Sequence, residues 1–203
     1  MNINIINSNI QVPEKVIRAY YTPDFIRVYQ AYSDTIADSV EKNGNFVSPP
    51  FSMARMTWIK PSFLWMMYRS GWAKKDPGQK RILAIDLTHD GFEEILQQGI
   101  LSHYSPDVGC SSDEWKKRVN KSPVVIQWDP ERDIYLNKLN YRTIQIGLRD
   151  QAVELYIKKW IVQVTDITDL VHDINQAIND GEIGKVQSLL PEETFYENGK
   201  LRG

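Results

Sequence analysis

The stretch Met53-Ala54-Arg55-Met56-Thr57-Trp58-Ile59-Lys60-Pro61-Ser62-Phe63-Leu64-Trp65-Met66-Met67-Tyr68-Arg69-Ser70-Gly71-Trp72 decides how the chain is read. Residues 53–59 are apolar and extended in character, with β-branched Thr57 and Ile59. Pro61 suits the first turn of a helix, where its missing N–H is not needed. Residues 62–69 hold no helix breaker, and Gly71 sits where a left-handed residue would end the helix. Phe63, Leu64, Met66, Met67 and Tyr68 cover almost every side of that helix, which is therefore expected to be buried all round.

The same stretch is unusually basic. From Met53 to Arg81 there are seven cations (Arg55, Lys60, Arg69, Lys74, Lys75, Lys80 and Arg81) against one acid, Asp76, in a chain of 203 residues whose net charge is -2. Three of the six tryptophans, Trp58, Trp65 and Trp72, lie here too. From Asp150 onward the balance reverses, with ten acids and five bases. An anionic ligand should favour the middle of the chain. The competing reading is a core helix whose cations reach out to water along their apolar stems.

Outward from this stretch, strands and helices alternate irregularly. Lys15–Tyr21 reads as a strand. Thr22, Pro23 and Asp24 form a helix start, and Phe25, Tyr29, Tyr32, Ile36 and Val40 recur at helical spacing, so a helix is expected over 23–42, ended by Asn43-Gly44. Residues 46–52 form a loop. Arg81–Leu87 and Pro123–Asp129 read as strands, and Arg142–Leu148 alternates as a half-exposed one. Helices are expected over 90–98, around Trp115 after the Ser111/Glu114 capping pair, and over 149–158, 169–179 and 183–190, with a strand at 160–167. The fold class is α+β, a single domain with a mixed or mostly antiparallel sheet flanked by helices. Residues 1–12 read as an arm or edge strand, 13–190 as the domain and 191–203 as a polar tail.

Composition excludes several classes. A single cysteine, Cys110, rules out an internal disulfide and a cysteine-rich metal cluster, and three histidines make a histidine metal site a poor fit. No metal is expected. Apolar runs are too short for a membrane span, and the start of the sequence lacks a signal-peptide pattern, so a cytoplasmic protein is expected. Glycine-rich dinucleotide and P-loop signatures are absent, as are the His-Glu-x-x-His and Gly-x-Ser-x-Gly patterns.

Candidate chemistry lies in a few charged and aromatic positions. Arg18, Tyr20, Lys60, Arg69 and Arg142 flank apolar elements; if they converge, they form a phosphate-binding pocket. Trp58, Trp72 and Trp128 are candidates to stack a base. In Gln127–Asp133, Asp129 and Glu131 are candidates for a general base or a ribose ligand, with Arg132 in the binding set. Alternatively this phrase is a solvated turn with Pro130 at its corner. His89 is either an acid or base, or a turn cap. Two functions follow. One is an enzyme acting on a nucleotide or nucleic-acid end, with NAD as a candidate cofactor. The other is a non-enzymatic module that binds nucleic acid or protein.

Four phrases carry a family resemblance: 17–21 (Ile-Arg-Ala-Tyr-Tyr), 58–72, 127–133 (Gln-Trp-Asp-Pro-Glu-Arg-Asp) and 142–148 (Arg-Thr-Ile-Gln-Ile-Gly-Leu). Over about residues 13–170 the chain resembles the domain-of-unknown-function 4291 family of bacterial and fungal proteins. That resemblance implies a domain extent and no activity. An ADP-ribosyltransferase-like domain is an analogy of fold type only.

Overall fold

The computed structural model describes residues 12–196. The expected N-terminal arm and the last seven residues of the tail lie outside this range, apart from Val12. The strands are β1 (Arg18–Ala19), β2 (Ile26–Tyr32), β3 (Thr57–Ile59), β4 (Arg81–Leu87), β5 (Gly99–Leu101), β6 (Val124–Arg132), β7 (Lys138–Leu148), β8 (Ile161–Asp166) and β9 (Thr194–Phe195). The α-helices are α1 (Asp34–Asn43), α2 (Phe63–Ser70), α3 (His89–Gln98), α4 (Ser112–Lys121), α5 (Gln151–Leu155), α6 (Thr168–Asn179) and α7 (Ile183–Leu189). This is the expected α+β architecture with mixed and antiparallel sheets. Among the described residues no helix is long and apolar enough to cross a membrane.

One sheet runs β2-β4-β8, all antiparallel. A second runs β3-β7-β6-β5, with β5 parallel to β6, and β1 and β9 make a two-stranded third. Central strand β4 is buried on both faces, as its near-continuous apolar run requires. Leu83, Ile85 and Leu87 pack with Ile126, Ile144 and Ile146 of the second sheet. Ile82 and Ala84 face the core formed with α2, α6 and α7. The sheets meet where Tyr29 N–H donates to Lys60 O (2.8 Å) and Lys60 N–H donates to Tyr29 O (3.2 Å). Tyr32 and Trp58 lie beyond this junction and line opposite sides of an open wedge.

Three expectations are corrected. Residues 26–32 form a strand, not the first half of a helix; helix α1 begins only after Ser33. Arg27 faces Asp86 across the ladder and donates twice, Nε to Oδ1 (2.7 Å) and Nη2 to Oδ2 (2.8 Å). The Gln127–Asp133 phrase is no solvated turn. Strand β6 continues through Pro130, which pairs with Arg142, and Glu131 and Arg132 are buried. Strand β5 pairs only with the first residues of β6, so the missing N–H of Pro130 falls along an open edge with a local bulge. Nor are residues 191–196 a loose tail. Strand β9 pairs with β1, and both Glu193 and Tyr196 are buried.

Candidate functional site

The wedge between β2 and β3 is a cleft of about 620 Å³. Its β3 wall carries Thr57, Trp58 and Lys60, while Arg69 enters from the end of α2 and Arg55 from the turn before β3. On the same sheet as β3, Gln145 of β7 and Gln127 of β6 pair in register and extend this wall. The order of these elements follows from local signals. Ser62 caps α2 by accepting from Trp65 N–H (3.1 Å), and Gly71 ends the helix at φ 59°. That fixes Arg69 in the last turn, on the side of Lys60.

A rigid network forms the floor. Gln30 donates to Thr57 Oγ1 (2.6 Å) and Trp58 O (3.2 Å), while Tyr156 donates to Gln30 Oε1 (2.8 Å). The Tyr32 and Thr57 hydroxyls are 3.0 Å apart. Gly147 sits opposite Trp58 on β7; a Cβ there would lie 2.6 Å from Met56 Sδ and 3.1 Å from the indole. The glycine lets the ring lie close against the strand.

Lys60 is only 5% exposed, and its Nζ donates to Trp58 O at 3.3 Å. Among the described residues neither Lys60, Arg55 nor Arg69 has a carboxylate within ion-pair distance. Burial pushes the Lys60 amine down to about 7; Arg69 pushes the same way and Asp129 opposes it. Asp129 is held by two amides: Gln127 Nε2 donates to Oδ1 (3.0 Å) and Gln145 Nε2 to Oδ2 (2.7 Å). The Asp129 carboxylate is thereby held behind the two cleft glutamines, whose oxygens remain as acceptors.

Of the residues expected from sequence, Trp58, Lys60 and Arg69 line this cleft, and Asp129 stands behind it, bonded to the cleft residues Gln127 and Gln145. Trp72 is buried in the core against Phe63. The others also lie elsewhere. Trp128 and Arg142 line a second cleft of about 360 Å³, with Lys15, His103 and Tyr104. Trp128 alternates with Gln127 along β6, so this second cleft lies on the opposite face of the ribbon. Arg142 also donates Nη1 to Trp128 O (3.1 Å). Tyr20 is half-buried beneath the Arg27 guanidinium, 5.1 Å from its ring centroid.

Arg18 and Glu131 belong instead to a buried cluster. Arg18 donates Nη1 to Tyr141 OH (3.2 Å) and Nη2 to Glu193 O (2.7 Å). Glu131 Oε1 accepts from Ser62 Oγ and from Arg132 N–H, both at 2.9 Å. Glu193 Oε1 accepts from Phe63 N–H (2.6 Å) at the start of α2. Burial, then the nearby Glu131, pushes the Glu193 carboxyl up to about 8, and burial raises Glu131 as well. Arg132 lies over the Tyr68 ring (3.5 Å) and bonds Leu136 O, a packing role. His89 ties the turn after β1 to the residue after β9: Nε2 donates to Thr22 O (2.7 Å), Nδ1 pairs with Tyr196 OH (2.9 Å), and the His89 and Tyr196 rings stack. Neither His89 nor Glu131 lines the main cleft, and of the expected catalytic set only Asp129 bonds to residues that do.

Sequence reading did not single out Gln30, Gln127 and Gln145 as cleft residues. A signal was available for two of them. Gln145 is a polar position between buried Ile144 and Ile146, and Gln127 is the polar residue that ends the buried run Val124–Ile126.

The family profile described as domain of unknown function (DUF4291) matches residues 16–196. The chain belongs to that family. The match takes in every strand from β1 to β9, so the DUF4291 domain includes the C-terminal segment that closes on β1. No curated protein matches the chain.

Proposed function

We propose that this DUF4291 chain is a cytoplasmic enzyme acting on a nucleotide or a nucleic-acid end held in the main cleft. One observation carries the reading: three cations without carboxylate partners among the described residues, Lys60, Arg55 and Arg69, share a cleft with the half-buried indole of Trp58. Guanidinium groups suit phosphate oxygens, which they grip in pairs of hydrogen bonds. The indole offers a stacking face for a base. Gln127 and Gln145 supply acceptors for base or ribose groups, and Asp129 is the acid–base group of the set. NAD, a dinucleotide with two phosphates, is one candidate among the ligands this chemistry fits.

A second reading is a binding module without chemistry. The second cleft, with Trp128 and Arg142 on the far face of the ribbon, favours it by offering another aromatic and basic surface. The test is a thermal-shift panel of nucleoside mono-, di- and triphosphates, NAD and short RNAs at low salt. Stabilisation of the wild type, reduced in Arg69→Ala and Lys60→Met, supports the cleft; no shift with any anion refutes it. Asp129→Asn separates the two readings. An enzyme keeps binding and loses turnover, whereas a module has no turnover to lose.

A further inference from the structure

We propose that Lys60 is a nucleophile that takes the α-phosphate of a nucleoside triphosphate, forming a covalent lysyl-nucleotide on the way to a nucleic-acid end. This inference rests on the nucleotide reading of the main cleft.

Lysine is a weak nucleophile while protonated and ion-paired. Here Nζ is buried, has a backbone carbonyl as its hydrogen-bond partner, and shares its cleft with two arginines. A desolvated amine beside another cation is the environment that yields a free amine. The lowered titration of Lys60 agrees with that geometry. A lysine kept merely to bind phosphate gains nothing from losing its charge near neutral pH.

Spacing within β3 points to the phosphorus attacked. Trp58 and Lys60 are two residues apart and line the same cleft, about 6.6 Å along the strand. A base stacked on Trp58 therefore places its 5′ phosphorus, one ribose away, beside Nζ. Arg69 and Arg55 are then available to hold the β- and γ-phosphates, the departing group.

The step balances. The Nζ lone pair forms an N–P bond to the α-phosphorus, and the P–O bond to the β-phosphate breaks. Its electron pair leaves with pyrophosphate, which departs with the divalent cation that accompanied the triphosphate. The proton released from nitrogen passes to Asp129 or to water. A hydroxyl or phosphate oxygen at a nucleic-acid end then attacks phosphorus, and Lys60 leaves as the amine, taking up a proton. Overall, a nucleoside monophosphate is transferred and pyrophosphate is released.

The test incubates the full chain at pH 8 with MgCl2 and each of ATP, GTP, CTP and UTP labelled at the α-phosphate. The expected result is a protein-bound label stable to alkali and lost in acid, with a mass gain of one nucleoside monophosphate mapped to the peptide containing Lys60. Label in the γ-phosphate should not be retained. Lys60→Arg should abolish the adduct, and Arg69→Ala should lower its yield at least several-fold, with thermal melts verifying that both variants fold. Equilibrium binding of the same triphosphates to the wild type distinguishes the failures. Binding without an adduct, or an adduct that persists in Lys60→Arg, overturns the nucleophile and leaves the nucleotide reading standing. Neither binding nor adduct overturns both.

Discussion

Tyr29 and Lys60 exchange both main-chain hydrogen bonds, yet their side chains go to opposite environments. The Tyr29 ring meets Phe63 in the core under α2, at a centroid distance of 5.5 Å. The Lys60 amine enters the cleft. One bridge therefore both joins the two sheets and sets a lysine at the vertex of the gap between them.

That position makes Lys60 costly to the free protein. In the unfolded chain its amine titrates near 10.5, against about 7 in the fold. Between these values the unfolded chain holds a proton that the folded chain has released, so this residue makes stability rise with pH from about 7 to 10.5. Below that window the full cost remains. Lys60→Met should raise stability at pH 6 by a few kcal/mol, to order of magnitude, and should remove stabilisation by added nucleotide. Urea melts at pH 6 and pH 9 check this: the variant's advantage should shrink at the higher pH.

Glu193 should act in the opposite direction. Its carboxyl titrates at about 8 in the fold and near 4.5 when unfolded. The native state holds the extra proton across that range, so stability falls as pH rises from about 4.5 to 8. Glu131, raised by burial, adds to the same trend. Glu193→Gln should flatten the slope between pH 5 and pH 8 in thermal melts. An unchanged slope would mean that Glu193 is ionised in the folded protein.

Gly147→Ala should act on the ligand more than on the fold. The added methyl meets Met56 and the Trp58 ring, both able to move into the open cleft. Nucleotide affinity should fall about tenfold, equivalent to about 1.4 kcal/mol, with a smaller loss of stability. Titrations followed by tryptophan fluorescence read the affinity, and urea melts read the stability.

The Arg27–Asp86 pair is a structural clamp. The Asp86 side chain is only 4% exposed, so Arg27→Ala leaves a buried carboxylate without its partner. A loss on the order of 3 kcal/mol is expected, discounted to the low end because Arg27 is partly exposed. Arg27→Ala combined with Asp86→Ala should recover part of it, measured as a double-mutant cycle in urea.

Local signals were legible in the sequence. Strand β4 announced itself as a continuous apolar run, and α2 by a breaker-free stretch closed by Gly71, although Pro61 lies before its cap, Ser62, and not in its first turn. The cleft group Trp58, Lys60 and Arg69 was visible because all three lie within one strand-helix unit. Residues 26–32 were not, since aromatic spacing of three and four imitates a helix while the deciding partner, Asp86, lies 59 positions from Arg27. Arg18 and His89 stood among the candidate site residues for the same reason. Arg18 bonds Glu193, 175 positions away, and His89 meets Tyr196, 107 positions away. Charge in the sequence does not distinguish a cation facing a ligand from one whose buried partners lie far along the chain.

Strand β9 beside β1 brings two distant segments of the polypeptide together, with Arg18 opposite Phe195 at about one strand spacing of 4.8 Å. A permutant that links Tyr196 to Ile17 by a short linker and opens at exposed Gly109, where φ is 73° and no side chain crowds the turn, keeps the pairings of β1 to β9 and gives up the Lys15–Arg142 bridge. The same adjacency suits the domain to insertion within a surface loop of a host protein, entering and leaving at neighbouring points.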